Sequence, residues 1–103
     1  MSGTQYPNRY QYETVAASQT AQVLGGTGVI GDYLHRLVIS VVTASSASVT
    51  LLDGATSIVV LTGAASDVPG IYSVEFNIAS VSGPWKVTTG AGATVIGVGI
   101  FSA

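Results

Sequence analysis

Apolar and polar residues alternate with a period of two along much of the chain. The clearest case is residues 72–78, where Tyr72, Val74, Phe76 and Ile78 alternate with polar side chains. This alternation is typical of a β-strand that buries one face and exposes the other. We therefore predict a strand here, with these four side chains facing the core.

The longest apolar run, at residues 37–43, shows the same period. Leu37, Ile39 and Val41 share one face, and most residues of the run are β-branched. Such side chains lose rotamer freedom in a helix and pack well on a pleated sheet. We predict a buried strand over residues 33–43, with His35 on the same face as Leu37.

Turn signals separate the alternating segments. Asp53-Gly54 lies between two apolar runs and predicts a hairpin, Pro69-Gly70 closes a loop, and residues 90–92 predict a last hairpin. About seven or eight short strands result, and no segment has a helical stripe. The pattern predicts an all-β fold, an antiparallel β-sandwich of jelly-roll-like type with an extended N-terminal arm.

A glycine motif offers a competing interpretation. Residues 26–31 match G-x-G-x-x-G, which in dinucleotide-binding proteins opens a helix whose amides bind a pyrophosphate, with an acid such as Asp53 on the ribose. Here a β-branched strand follows instead, and 103 residues are too few for helices on both faces of a parallel sheet. We interpret the motif as a tight turn, and predict that Gly26, Gly28 and Gly31 bind no nucleotide.

Composition narrows the classes of function. The 103 residues suit one domain, and the absence of cysteine excludes disulfides and thiolate metal sites. Only 8% of residues are charged, against about 25% in ordinary domains, so we expect hydroxyls or partners to cover the surface. With a net charge of −2 and no apolar run of about 18 residues, neither nucleic acid nor a membrane is an expected partner.

The sequence gives little support for a catalytic site. The only histidine is His35, and Asp32, Asp53 and Asp67 stand apart beside glycine or proline, where such residues usually cap their own turns. Trp85 is placed as a core anchor rather than a carbohydrate platform. We predict that the protein is not an enzyme and holds no cofactor and no metal.

Binding-type residues concentrate at the N-terminus. Residues 1–13 contain three of the five tyrosines and one of the three basic residues. Tyrosine and arginine are over-used at interfaces, so we predict an arm over residues 1–13 that lies across a neighbouring subunit, beside a single domain over residues 14–103. A disordered terminus is the alternative. The candidate interface residues are Tyr6, Arg9, Tyr10 and Tyr12.

Three stretches also carry a family resemblance: GGTGVIGDYLHRLVI at residues 25–39, VTLLDG at 49–54 and SVSGPWKVTTGAGATVIGVGIF at 80–101. Together they resemble the small capsid cement, or decoration, proteins of tailed bacteriophages. The likeness extends from residue 15 to the end of the chain, and WKVTTG at residues 85–90 is its most telling part. None of these motifs is catalytic.

The resemblance implies a β-sandwich that is made in the host cytoplasm and binds the exterior of the assembled virion head. Its partners would be the major capsid protein and other copies of itself, in a trimer ahead of a dimer, and its role would be to stabilise contacts between capsomers. The alternative is a head-fibre or tail-associated recognition module that binds a cell-surface ligand.

Overall fold

The computed structural model describes residues 10–64 and 67–102. In these residues there are eight β-strands and a short 3-10 turn at Ala44–Ser46, and no α-helix. The strands are β1 (Gln11–Val15), β2 (Gln22–Val23), β3 (Tyr33–Val41), β4 (Ser48–Asp53), β5 (Thr56–Thr62), β6 (Gly70–Ala79), β7 (Trp85–Thr89) and β8 (Ala93–Ile100). The prediction of an all-β fold is confirmed.

The strands form two four-stranded antiparallel sheets that pack face to face. Sheet A has the order β1-β8-β3-β6, and sheet B has the order β2-β7-β4-β5. Only β4 and β5 follow each other within one sheet, through the hairpin predicted at Asp53-Gly54. Every other connection between these strands crosses between the sheets, so the two layers are linked many times and the predicted β-sandwich is confirmed. The hairpin predicted at residues 90–92 is wrong, because the turn there joins β7 of sheet B to β8 of sheet A.

The core lies between the inner faces of the sheets and surrounds Trp85. The indole ring is 1% exposed, and its Nε1 donates a hydrogen bond of 2.8 Å to the carbonyl oxygen of Asp32. A buried indole N–H requires such a partner. Trp85 is therefore the predicted core anchor. The largest fully buried aliphatic side chains of the same core are Leu24, Leu34, Leu37, Ile39, Leu51, Val15, Val49, Val87 and Val95.

A β-bulge near the start of β3 changes the face of one predicted residue. The register of β3 shifts between Leu34 and Arg36 against both of its neighbours. The extra residue lets Leu34 and Leu37 both point into the core, although they are three positions apart. His35 instead lies with its ring 4.6 Å from that of Tyr10. The prediction that His35 shares the face of Leu37 is wrong, because it assumed unbroken alternation.

Strand β6 only partly follows its prediction. Its register places Tyr72 opposite Ile39 and Ile78 opposite Leu34, so both side chains are on the inner side of sheet A. They nevertheless remain 37% and 44% exposed. The prediction that they are core residues is only partly correct, because β6 is an edge strand and no other described strand pairs with its second edge.

The first strand begins inside the segment predicted as an arm. Gln11–Val15 pairs antiparallel with β8 and alternates along its length, with Tyr12 exposed and Val15 buried. The boundary that we predict after Glu13 therefore falls within a strand. Tyr6 and Arg9 lie outside the described residues.

Two glycines on β8 make room for side chains that close one end of the core. A Cβ at Gly97 would lie 3.0 Å from a terminal methyl group of Leu24, and one at Gly99 would lie 2.9 Å from the ring of Phe101. Leu24 is fully buried and Phe101 is 7% exposed. At Gly99 the atom nearest to such a Cβ is the backbone carbonyl oxygen of Tyr33, so a neighbouring strand also leaves no room for a side chain there. At Gly97 the close neighbour is the Leu24 side chain alone.

This packing predicts a compensating pair of substitutions. Leu24→Ala should lower the free energy of unfolding by about 2–5 kcal/mol, because it leaves a cavity. Gly97→Val should lower it by about 1–3 kcal/mol, because the new methyl groups overlap Leu24. In the double variant the valine fills the cavity, so urea unfolding should show a smaller loss than the sum. Strict additivity would show that the two positions do not share this space.

Candidate functional site

The glycine motif is a loop between β2 and β3, as predicted, and leads into a strand. The backbone amides of Gly26 and Gly28 each donate a hydrogen bond of 3.1 Å to the carbonyl oxygen of Ser102. A Cβ at Gly28, where φ is +65°, would lie 2.7 Å from Pro84. The amides that would bind a pyrophosphate in a dinucleotide fold here hold the chain's own backbone after β8.

Asp32 is a buried junction at the end of the same loop. Its Oδ2 accepts hydrogen bonds from the amides of Val29 and Ser102 at 3.1 and 3.0 Å, and its Oδ1 accepts one from the Ser102 hydroxyl at 2.9 Å. Its carbonyl oxygen accepts the Trp85 indole N–H. The Val29 bond is the turn cap that we predicted. The others join β3, β7 and the segment after β8.

Asp53, also 7% exposed, has a different partner from the one predicted. It accepts hydrogen bonds from the amides of Val81 and Ser82, in the loop between β6 and β7, rather than capping its own turn. Pairing of Asp53 with Trp85 across the β4–β7 ladder brings that loop over the carboxylate. Among the described residues, no three His, Asp or Glu side chains cluster in a way that suits a metal ion.

The outer face of sheet A carries several exposed apolar and aromatic side chains. We use this name for the side chains of sheet A that point away from the core. The cross-strand row Thr14, Ile96 and Val38 lies beside a second row with Tyr12, Val98 and Arg36. Tyr12 is 72% exposed and Ile96 39% exposed. A tyrosine-rich and aliphatic surface therefore crosses three strands.

The outer face of sheet B provides a contrast. Its cross-strand positions include Lys86, Thr88 and Thr50, with Leu52 and Val59 among them. An antiparallel sheet with one face on the core normally has a polar second face. Sheet B largely follows that rule and sheet A does not, so the outer face of sheet A is the candidate binding surface.

An aromatic cluster lies at one corner of this surface. The ring of Tyr10 stacks on Tyr33 with centroids 6.1 Å apart, and also contacts His35. The Tyr33 hydroxyl donates to Asn77 Oδ1 at 3.1 Å. Desolvation, with a further contribution from the Tyr10 phenol, raises the pKa of Tyr33 above its ordinary value of 10.0. At neutral pH the hydroxyl is protonated already at its ordinary pKa of 10.0, and the raised pKa extends this range to higher pH.

Two nitrogen atoms beside the cluster lack partners. His35 Nδ1 and Arg36 Nε are both buried, and neither has a hydrogen-bond partner among the described residues. Buried polar atoms in this condition are rare, because leaving them unbonded is costly. Both atoms belong to the bulge of β3, and they lie beneath the outer face of sheet A rather than on it.

The described part of the predicted interface lies on this surface. Tyr10 and Tyr12 are together at the β1 side of the outer face, whereas Tyr6 and Arg9 lie outside the described residues. Sequence reasoning missed Tyr33 and the other members of the surface. The sequence did contain one indication of this surface. Along β8 the outward residues are mostly apolar like the inward ones, and these outward residues are Thr94, Ile96, Val98 and Ile100.

Comparisons with known proteins add no family to this description. No protein-family profile matches the chain, and no curated protein sequence is significantly similar to it. Within residues 10–64 and 67–102, no helix is long and apolar enough to cross a membrane.

The Asp32 junction predicts a graded loss of stability. Asp32→Ala should lower the free energy of unfolding by about 1–3 kcal/mol, since it leaves two partly buried amides and a hydroxyl unbonded. Asp32→Asn should recover most of this, because its amide oxygen accepts both N–H groups and its nitrogen donates to the Ser102 hydroxyl. Exposed Glu75→Ala, as the control, should stay within about 0.5 kcal/mol in urea unfolding. Equal losses for Asp32→Ala and Glu75→Ala would contradict the assignment.

Proposed function

We propose that the protein is a capsid cement protein of a tailed bacteriophage, which binds the exterior of the assembled head as a homo-oligomer. The major capsid protein is its partner, and the outer face of sheet A is the surface that binds it. The observation that carries this proposal is the apolar and tyrosine-rich character of that face on a domain with 8% charged residues.

The physical chemistry of this surface suits a large protein partner. Exposed apolar patches mark interaction sites, and tyrosine is enriched in the centres of interfaces. Tyr12 and Ile96 present such area on a rigid sheet, which loses little conformational entropy on binding. The resemblance to cement proteins suggests which assembly is bound, and the surface suggests how.

We further infer that the sandwich is a jelly roll. The strand order 1-8-3-6 facing 2-7-4-5 supports this, because a jelly roll is an eight-stranded double sheet built from two Greek keys. Jelly rolls occur in viral capsid proteins, but the fold serves many functions. The fold therefore agrees with a virion location, and the binding surface carries the argument.

The N-terminal arm is part of the proposal. Because Tyr10 lies on the outer face of sheet A, residues 1–9 are attached at the edge of the proposed capsid-binding surface. Nine residues reach about 30 Å when extended. Tyr6 and Arg9 would contact the capsid or a neighbouring subunit next to the area that Tyr10 and Tyr12 bind.

A second candidate is a recognition module that binds a cell-surface ligand. It is favoured by the grouped rings of Tyr10, Tyr33 and His35, with the exposed Tyr33 hydroxyl and Asn77 amide beside them. Small-ligand sites combine aromatic walls with a few such polar groups. We rank it second, since the apolar area extends across several strands beyond this corner.

The cement proposal predicts that Tyr12 contributes to capsid binding. Tyr12→Thr keeps a good strand former on an exposed edge position but removes the ring, so affinity for heads stripped of the native protein should fall roughly fivefold or more. Val59→Thr is the matched control, since Val59 is 62% exposed on the edge strand β5 of the other sheet. It should change the affinity by less than about twofold.

Co-sedimentation with stripped heads measures both variants, and melting temperatures confirm that they are folded. Failure of the intact protein to bind heads would contradict the cement function. Binding of the intact protein to host cells, lost on His35→Ala while stripped heads stay unbound, would support the recognition module instead. Loss of head binding by Val59→Thr alone would place the interface on sheet B.

The arm makes a separate prediction. A truncation must stop before β1, so the variant lacks residues 1–9 only. We expect it to unfold at the same temperature as the intact protein, because β1 still pairs with β8. It should bind stripped heads more weakly, since Tyr6 and Arg9 are lost. Equally tight re-coating of heads would show that residues 1–9 contribute nothing to binding.

A further inference from the structure

We propose that β6 is a homotypic interface, where a second copy of the chain adds its own β6 in antiparallel orientation about a two-fold axis. The pairing would join two four-stranded sheets A into one eight-stranded sheet. It deepens the proposed function, since the outer faces of two copies would become one continuous binding surface. Its test uses the isolated protein and needs no capsid.

Strand β6 is the least protected of the four sheet edges. β2 has two residues, β1 has five, and β5 is interrupted by a register shift opposite Val49 and Thr50. β6 has ten residues and contains neither lysine nor proline. Short strands, bulges, lysine and proline are the usual means of blocking edge pairing. β6 has a bulge only toward its end, which leaves a regular stretch at residues 70–75.

The free side of this stretch is available for pairing. In the described part of the chain, β6 pairs with β3 alone, and no backbone hydrogen bond reaches its other edge from a turn or loop. Alternate N–H and C=O groups along residues 70–75 therefore face outward. Another strand would satisfy them in the same way as β3 satisfies the opposite edge.

The interior of the sandwich is also incomplete beside β6. Tyr72 and Ile78 point to the inner side of sheet A yet stay substantially exposed, and Val74 is only partly buried. A strand that continues sheet A would place its own inward side chains next to these. A second β6 would supply Tyr72 and Val74, side chains of the same kind as those left uncovered.

The sequence of β6 is self-complementary in one register. With Ser73 opposite Ser73, all pairs fall within the regular stretch. Tyr72 then faces the other copy's Val74, an aromatic and β-branched pair of the kind that stabilises antiparallel sheets. Ile71 faces Glu75, and the two glutamates are four residues apart, about 13 Å along the strand. No like charges meet, whereas a register centred on Glu75 would oppose them.

Two-fold symmetry is the reason why we infer that the strand paired with β6 comes from a second copy of this chain. An isologous contact uses the same edge on both partners, so it closes at two subunits and leaves no β6 edge free. An unrelated strand would satisfy the edge only if its own pattern matched. This arrangement gives a dimer, and so differs from the trimer that the resemblance to cement proteins favours.

The test places charges at the two-fold axis. In Ser73→Lys the two new lysines lie directly opposite, with Cβ atoms about 5 Å apart, so the dissociation constant of the dimer should rise roughly fivefold or more. Ser57→Lys is the matched control, since Ser57 is an exposed outward residue of β5. It should leave the constant within about twofold. Sedimentation equilibrium measures both, and thermal melting shows that each variant folds.

Charge-reversed partners make the test specific to β6. An equimolar mixture of Ser73→Lys and Ser73→Glu should form a mixed dimer more tightly than either variant alone, because opposite charges then meet at the axis. The proposal is overturned if the wild-type protein is a monomer at high micromolar concentration or a trimer. It is also overturned if Ser57→Lys weakens the dimer as much as Ser73→Lys, or if the mixture shows no recovery.

Discussion

One buried carboxylate, Asp32, connects the parts of the chain that a two-layer fold most needs to align. Its side chain accepts hydrogen bonds from Val29 and Ser102, and its carbonyl oxygen accepts the indole N–H of Trp85, the largest buried side chain of the core. The junction thus fixes the start of β3, the depth of β7 and the path after β8. The three hydrogen bonds that the carboxylate accepts compensate for its burial at the core boundary.

Periodicity predicted the strands well, and its failures have local causes. The alternation at Leu37, Ile39 and Val41 identified the inner face of β3, because side chains follow the pleat wherever the register is regular. It failed at His35, where an inserted residue resets the register, and at Tyr72, where a strand lacks a second neighbour. The partners of Asp53 were equally unpredictable, since they depend on a pairing between strands distant in the chain.

The candidate surface was predicted only at its margin. Tyr10 and Tyr12 were predicted to be interface residues because they lie in a polar segment without the alternation of a core strand. Both are on the outer face of sheet A. Tyr33 was read as an ordinary strand residue, and Ile96 was part of an alternation whose outward set is itself apolar. The strand order β1-β8-β3 determines which outward residues form one patch. That order cannot be predicted from the local alternation of apolar and polar residues.

The low number of charges on the outer face of sheet A affects the rate at which a partner would bind to it. Electrostatic steering accelerates protein association by orders of magnitude. The described charged residues of this face are Arg36 and Glu75, which lie opposite each other, so the face exerts only a weak steering field on a partner. Encounter would then proceed at the unsteered rate of about 10⁵–10⁶ M⁻¹s⁻¹, with little dependence on ionic strength. Tight binding would come from slow dissociation, so coverage of a large assembly would be gradual and, once complete, long-lived.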